Sequence, residues 1–175
     1  MPSFDCHAIF PPLVCTHQDA LLYLLPSLVL AAIFRMLARR HPIFFSFYLS
    51  GTILHELAHL VMGLLTNARP VKISVLPRRG AGRQWILGSV SFANIRWYNA
   101  AFVGLAPILI ILVPLLVAVY RLQFGAPYGW MDVAIAALIA PAFLSFLPSG
   151  ADLLITVRSW PYAAAAGVYL WWVWH

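Results

Sequence analysis

Acidic residues are almost missing from this chain. There are 5 of them against 11 lysines and arginines, and Glu56 is the sole glutamate. Charged residues make up 9% of the sequence while 63% is hydrophobic, which leaves too little polar surface for a water-soluble domain. Only two cysteines occur, Cys6 and Cys15, without a Cys-x-x-Cys spacing. That excludes a disulfide framework and a zinc knuckle. No basic segment followed by an apolar core opens the chain, so no cleaved signal peptide is expected. Internal repeats and low-complexity linkers are also lacking. In a soluble protein the basic excess would suggest nucleic acid, but here it more simply marks membrane orientation, and no nucleic-acid partner is expected.

What the chain has instead is long apolar runs. A membrane-spanning helix needs about 20 such residues. Residues 20–38, 43–66 and 97–120 each qualify, as does a fourth run from Gly129 to Ile155. The run from Trp160 to Trp174 is shorter and rich in tryptophan, and either crosses the bilayer or lies in its interface. The first two crossings should be antiparallel, joined around Pro42. Pro107 and Pro114 should kink the third, and Pro148 and Gly150 should unwind the fourth over 148–150. Between the second and third runs the period changes to two. Val71, Ile73 and Val75 alternate with other residues, Ile86–Phe92 reads as a second strand, and 77–83 reads as a turn. The expectation is a single domain over 1–175, an all-α polytopic membrane protein of four to five transmembrane helices with a short β-hairpin.

Orientation follows from the basic residues. Arg69, Lys72, Arg78, Arg79, Arg83, Arg96 and Arg158 fall on the hairpin side; Arg35, Arg39, Arg40 and Arg121 fall on the other. The positive-inside rule then puts the hairpin and the N-terminus in the cytoplasm. The Arg78, Arg79 and Arg83 cluster reads as a lipid-headgroup or topology signal.

Inside the second run stands Leu54-His55-Glu56-Leu57-Ala58-His59. Burying a charge at the centre of a bilayer costs about 2.5–3.5 kcal/mol on insertion scales, so a carboxylate there points to function. Histidines four apart share one helix face and can reach one zinc ion. Glu56, one residue on, can contact a water on that zinc, take its proton as general base and return it to a leaving amine. These are the parts of amide hydrolysis.

A catalytic zinc takes three protein ligands. Depth selects the third: His59 lies roughly 10 Å below the hairpin-side surface, and Asp152, climbing from Gly129, arrives near the same level at 1.5 Å per residue. Asp132 starts at the wrong face. Helix capping after Pro148 remains the alternative role for Asp152. His7, His17, His41 and His175 lie outside the expected core.

With these residues in place, the chain resembles the site-2 protease family of intramembrane zinc metalloproteases, peptidase family M50. His55-Glu56-Leu57-Ala58-His59 is similar to its first motif, and the strand pair over 71–92 resembles its membrane-associated β-hairpin. Gly104-Leu105-Ala106-Pro107 is similar to a small-residue segment of its next helix, and the likeness covers about 43–158. The family's second motif, Asn-x-x-Pro and then Leu-Asp-Gly, is matched loosely by Ser145-Phe146-Leu147-Pro148 and Asp152-Leu153. Ser145, Ser149 and Asn94 are open candidates for steadying the oxyanion, and the hairpin edge around Val90 for holding substrate. No PDZ or CBS domain is recognisable.

The resemblance implies a zinc endopeptidase with one Zn2+ per chain, expected in a prokaryotic cytoplasmic membrane. It would cleave a transmembrane or membrane-proximal segment of a membrane protein near the cytoplasmic face, as in regulated intramembrane proteolysis. Two rivals stay open: a catalytically silent adaptor or chaperone for membrane helices, and a zinc-binding transport protein.

Overall fold

The structure, a computed structural model, describes residues 18–38, 41–74, 78–79, 85–86, 88–124 and 128–174. His7, His17, His175, both cysteines and Arg83 lie outside them, as do the side chains of Arg78 and Arg79. Helix α1 spans Gln18–Leu37 and α2 spans Pro42–Leu65, with Pro42 where its missing N–H costs nothing. Strands β1 (Pro70–Ser74), β2 (Arg78–Arg79), β3 (Trp85–Ile86) and β4 (Ser89–Phe92) follow. Then come α3 (Ala100–Gly104), a 3-10 segment (Ala106–Ile111), α4 (Leu112–Leu122) and α5 (Trp130–Ser145). The described chain closes with α6 (Gly150–Thr156), a 3-10 turn (Val157–Ser159) and α7 (Trp160–Trp174).

Two helices are long and apolar enough to cross a membrane, Asp19–Leu37 and Ile43–Leu65; a third arises if α5 and the rod from Gly150 to Trp174, bent by 58°, form one span. The third apolar run is not one helix. Its pieces break at Leu105, two residues before Pro107, and leave a shorter apolar helical segment at Ala106–Leu122. The fourth breaks over 146–149, slightly earlier than expected, with Gly150 already helical. The Trp160–Trp174 segment continues the α6 rod and buries no residue.

Helices α1 and α5 run in the same direction. Near their starts the Tyr23 hydroxyl donates to Asp132 Oδ1 at 2.9 Å, and further along Ala31 and Ala140 share a buried cluster with Phe34. Small residues at Ala20, Ser27, Ala31, Ala136 and Ala140 allow this contact, as membrane helix pairs require. The parallel arrangement differs from the alternation of directions that the sequence suggests: the beginning of α1 sits beside the start of α5 and the end of α4. Helix α2 does not return alongside α1 either. Phe44 and Phe47 both meet Phe34, Gly51 lies against Pro141 and Ser145, and His55 bonds Ser145, so α2 crosses the C-terminal third of α5. A Cβ on Gly51 would approach the Pro141 carbonyl oxygen to 2.8 Å, which explains the glycine at this crossing.

Among the described residues, Ser27 is the one with a buried side-chain polar atom lacking a hydrogen-bond partner. An unsatisfied hydroxyl costs about 1–3 kcal/mol, whereas an alanine there loses nothing. Ser27→Ala should therefore leave thermal stability in detergent unchanged or raised. A clear drop in melting temperature would show that the hydroxyl is satisfied in the membrane protein.

Strand β1 pairs antiparallel with β4, and β2 with β3, as two separate two-stranded sheets nested in sequence as in a β-hairpin. Arg78–Arg79 therefore belong to a strand rather than to the expected turn. Asn67 and Arg69 adopt positive φ (57° and 56°), reversing the chain sharply after α2. Phe92 fills the space beside Gly63, where any Cβ would collide with its ring, so the root of β4 is held against α2.

Candidate metal centre

His55 and His59 project from one face of α2, and Asp152 meets them from the first turn of α6. His55 Nε2 lies 3.1 Å from Asp152 Oδ2, His59 Nε2 lies 3.1 Å from Asp152 Oδ1, and the two Nε2 atoms are 3.2 Å apart. Together the three residues form a group that could hold a metal ion.

The outer nitrogens set the tautomers. His55 Nδ1 is 2.7 Å from the Ser145 carbonyl and His59 Nδ1 is 2.8 Å from the Val103 carbonyl. A carbonyl oxygen only accepts, so each Nδ1 carries a proton and donates it, leaving the Nε2 lone pairs turned inward. With both imidazoles neutral, two bare nitrogens and two carboxylate oxygens face one another, an arrangement that a cation between them would stabilise. Tetrahedral zinc bonds of about 2.0–2.2 Å imply ligand separations of roughly 3.4 Å, close to those observed. The donor set fits zinc, and carbonyl support behind each imidazole is the usual outer-shell arrangement.

Local sequence explains why those carbonyls are available. The helical partner of the Val103 carbonyl would be the N–H at position 107, but Pro107 has none. The partner of Ser145 would be the Ser149 N–H, which donates instead to Asp152 Oδ2 at 2.7 Å. Asp152 N in turn donates to Ser149 Oγ, completing a capping box. Ser149 is thus the N-cap and Asp152 its N3 partner as well as a member of the cluster; the capping box holds the carboxylate still while it faces the histidines. Gly104 permits the approach of α3 to α6, since a Cβ there would sit 2.5 Å from the Asp152 carbonyl oxygen and collide with Thr156.

Glu56 faces the same cavity, of about 450 Å3, and is 8% exposed. It lies under the end of the hairpin. A Cβ on Gly88 would be 2.5 Å from Glu56 Cγ and 3.0 Å from Oε1, and Val90 lines the same cavity.

The other candidates separate. Ser145 and Ser149 line the cavity, but the Ser145 hydroxyl donates back to the Pro141 carbonyl at 3.0 Å, so its contribution is its carbonyl. Asn94 does not line the cavity. Its Nδ2 donates to the Asn67 carbonyl and its Oδ1 accepts from Arg96, fastening the hairpin to the α2 exit. Sequence reasoning missed Val103, Gly88 and Asn99, the last fully buried and tying Arg96, Thr66 and Asn94 together. Pro107 four residues after Val103 was the one signal that pointed to any of them.

Asp132 stands at the opposite end of α5. Arg121 Nε reaches its Oδ1 at 2.8 Å and Arg121 Nη2 its Oδ2 at 3.1 Å, Gly129 N donates to Oδ2 at 2.8 Å, and Tyr23 donates to Oδ1. Every lone pair is occupied, so this carboxylate is structural. No family model matches the chain, nor does any curated protein or solved structure.

Proposed function

We propose that this chain is an intramembrane zinc endopeptidase similar to the site-2 proteases, acting on an unwound transmembrane or membrane-proximal segment of another protein. The observation that carries the reading is the convergence of His55, His59 and Asp152 with their tautomers set inward, beside a carboxylate that is not one of the three. A zinc carrier needs the ligands but has no use for Glu56 at that place, and a silent adaptor needs neither.

When bound, zinc would polarise the scissile carbonyl and activate the attacking water. His55, His59 and Asp152 hold the metal, steadied by Ser145, Val103 and Ser149. Glu56 takes the proton of the attacking water and delivers it to the leaving nitrogen. Ser149 Oγ accepts from Asp152 N, which leaves its own hydroxyl proton to donate to the oxyanion. Substrate enters extended, because a helical segment hides its amides, and the edge of β4 offers a strand partner.

The number of crossings in this reading is four, with the short third run completing a span and α6–α7 leaving obliquely. Arg69, Lys72, Arg96 and Arg158 lie on the hairpin side, which carries the site, while Arg121 on the other side is paired with Asp132. The positive-inside rule then assigns the site end to the cytoplasm. The location is a cytoplasmic membrane of prokaryotic type.

Metal removal tests the reading. Protein purified in detergent should carry one zinc per chain by elemental analysis and cleave a fluorogenic apolar peptide. Chelation should abolish cleavage, and added zinc should restore it. Zinc-free protein that still cleaves, or zinc-loaded protein that cleaves nothing, would sink the proposal.

A further inference from the structure

The Ser159 hydroxyl donates to the Trp97 carbonyl and accepts from the Ala101 N–H, which pins the α6–α7 rod to the chain entering α3. Arg96 and Arg158 each precede one partner of the first bond by a single residue, so the fold brings their main chains close together. Both arginines are exposed, and among the described residues neither has a carboxylate partner: Arg121 takes Asp132, and Asp152 faces the histidines. Arg96 commits its Nε to Asn94 Oδ1 at 3.0 Å, which leaves the outer nitrogens of its planar fork. Such a fork suits phosphate oxygens. Beside the two arginines the rings of Trp97, Tyr98, Phe102 and Tyr162 form an exposed ledge. Trp97 and Tyr162 lie 5.4 Å apart between centroids and Phe102 and Tyr162 6.4 Å, while the Tyr162 hydroxyl donates to the Tyr98 carbonyl at 3.1 Å. Trp97 and Phe102 are each 52% exposed. Tryptophan and tyrosine, with an apolar body and a polar tip, settle at the depth of lipid headgroups.

The geometry points to a binding site for one anionic phospholipid, its phosphate held by Arg96 and Arg158 and its glycerol and upper acyl chains laid over the ring ledge. Two observations of different kinds meet there: cations without carboxylates, and rings without a protein cover. A soluble phosphate would satisfy the first and leave the second bare. None of these residues lines the metal cavity, so the site stands apart from the peptidase reading. A lipid bound there would tie the root of the hairpin to the rod that carries Asp152.

The test uses the full chain in mild detergent, titrated with phosphatidylglycerol or with phosphatidylcholine of the same acyl chains, and native mass spectrometry counts the lipid retained. One phosphatidylglycerol should be held in preference to phosphatidylcholine. A basic residue near an anionic headgroup contributes roughly fivefold in affinity, so Arg158→Gln should weaken retention by about that factor. Arg96→Gln should do the same. Lys72→Gln removes an equally exposed cation from β1 and should leave retention unchanged, which a diffuse surface attraction would not. Inorganic phosphate in excess over the lipid should fail to displace it, because phosphate gains nothing from the rings. If Arg96→Gln also lowers the melting temperature, the lost Asn94 bond is responsible and Arg158→Gln alone decides. Equal retention of the two lipids, arginine variants no weaker than Lys72→Gln, or displacement by inorganic phosphate would each overturn the site.

Discussion

Glu56→Gln should keep its zinc and lose cleavage. Glutamine preserves the shape of the side chain and can still meet Gly88, but it cannot accept the water's proton. General acid–base catalysis contributes about 10²–10⁴-fold, so turnover of the apolar peptide should fall by at least that lower bound. Glu56 is outside the group of three inward-facing ligands, so elemental analysis should find the same zinc per chain as in wild type. Loss of zinc together with activity would move Glu56 into the coordination sphere. Unchanged cleavage would remove it from the mechanism.

Asp132→Asn should destabilise the fold while sparing the site. Asp132 is 1% exposed and accepts from Arg121, Tyr23 and Gly129, joining the ends of α1, α4 and α5. Removing one partner of a buried ion pair costs about 3–5 kcal/mol, because the other charge stays behind without compensation. An isosteric hydrophobic replacement of both partners avoids that penalty, so the double variant Asp132→Leu with Arg121→Leu should recover part of the loss. Denaturant titration in detergent micelles would measure both. The metal lies about 20 Å away along α5 at 1.5 Å per residue, so zinc content below the transition should not change. Zinc loss without destabilisation would mean that the network acts on the site and not on the bundle.

The membrane class, the helical pattern and the histidine pair were legible because each is a local property. Apolar runs need no partner to be recognised, and positions four apart on a helix share a face whatever surrounds them. Asp152 was legible at one remove, from a count of rise per residue along two segments. Asp152 does meet the two histidines, although the count assumed crossings that alternate in direction. The same assumption left out the parallel pairing of α1 with α5, since nothing in residues 18–37 states which end of α5 they will meet. Small residues at Ser27, Ala31, Ala136 and Ala140 decide that, and their complementarity exists only once the two faces are brought together.

The sequence by itself determined an apolar helical protein with two histidines at metal-ligand spacing, a carboxylate beside them and a hairpin after them. Tertiary structure decided how those parts act on one another. The Val103 and Ser145 carbonyls turn the imidazoles inward from 44 and 90 residues away, and Gly88 settles over Glu56. Each of these contacts is made by main chain. A backbone N–H or carbonyl is the same at every residue except proline's missing N–H, so only the fold can say which one arrives.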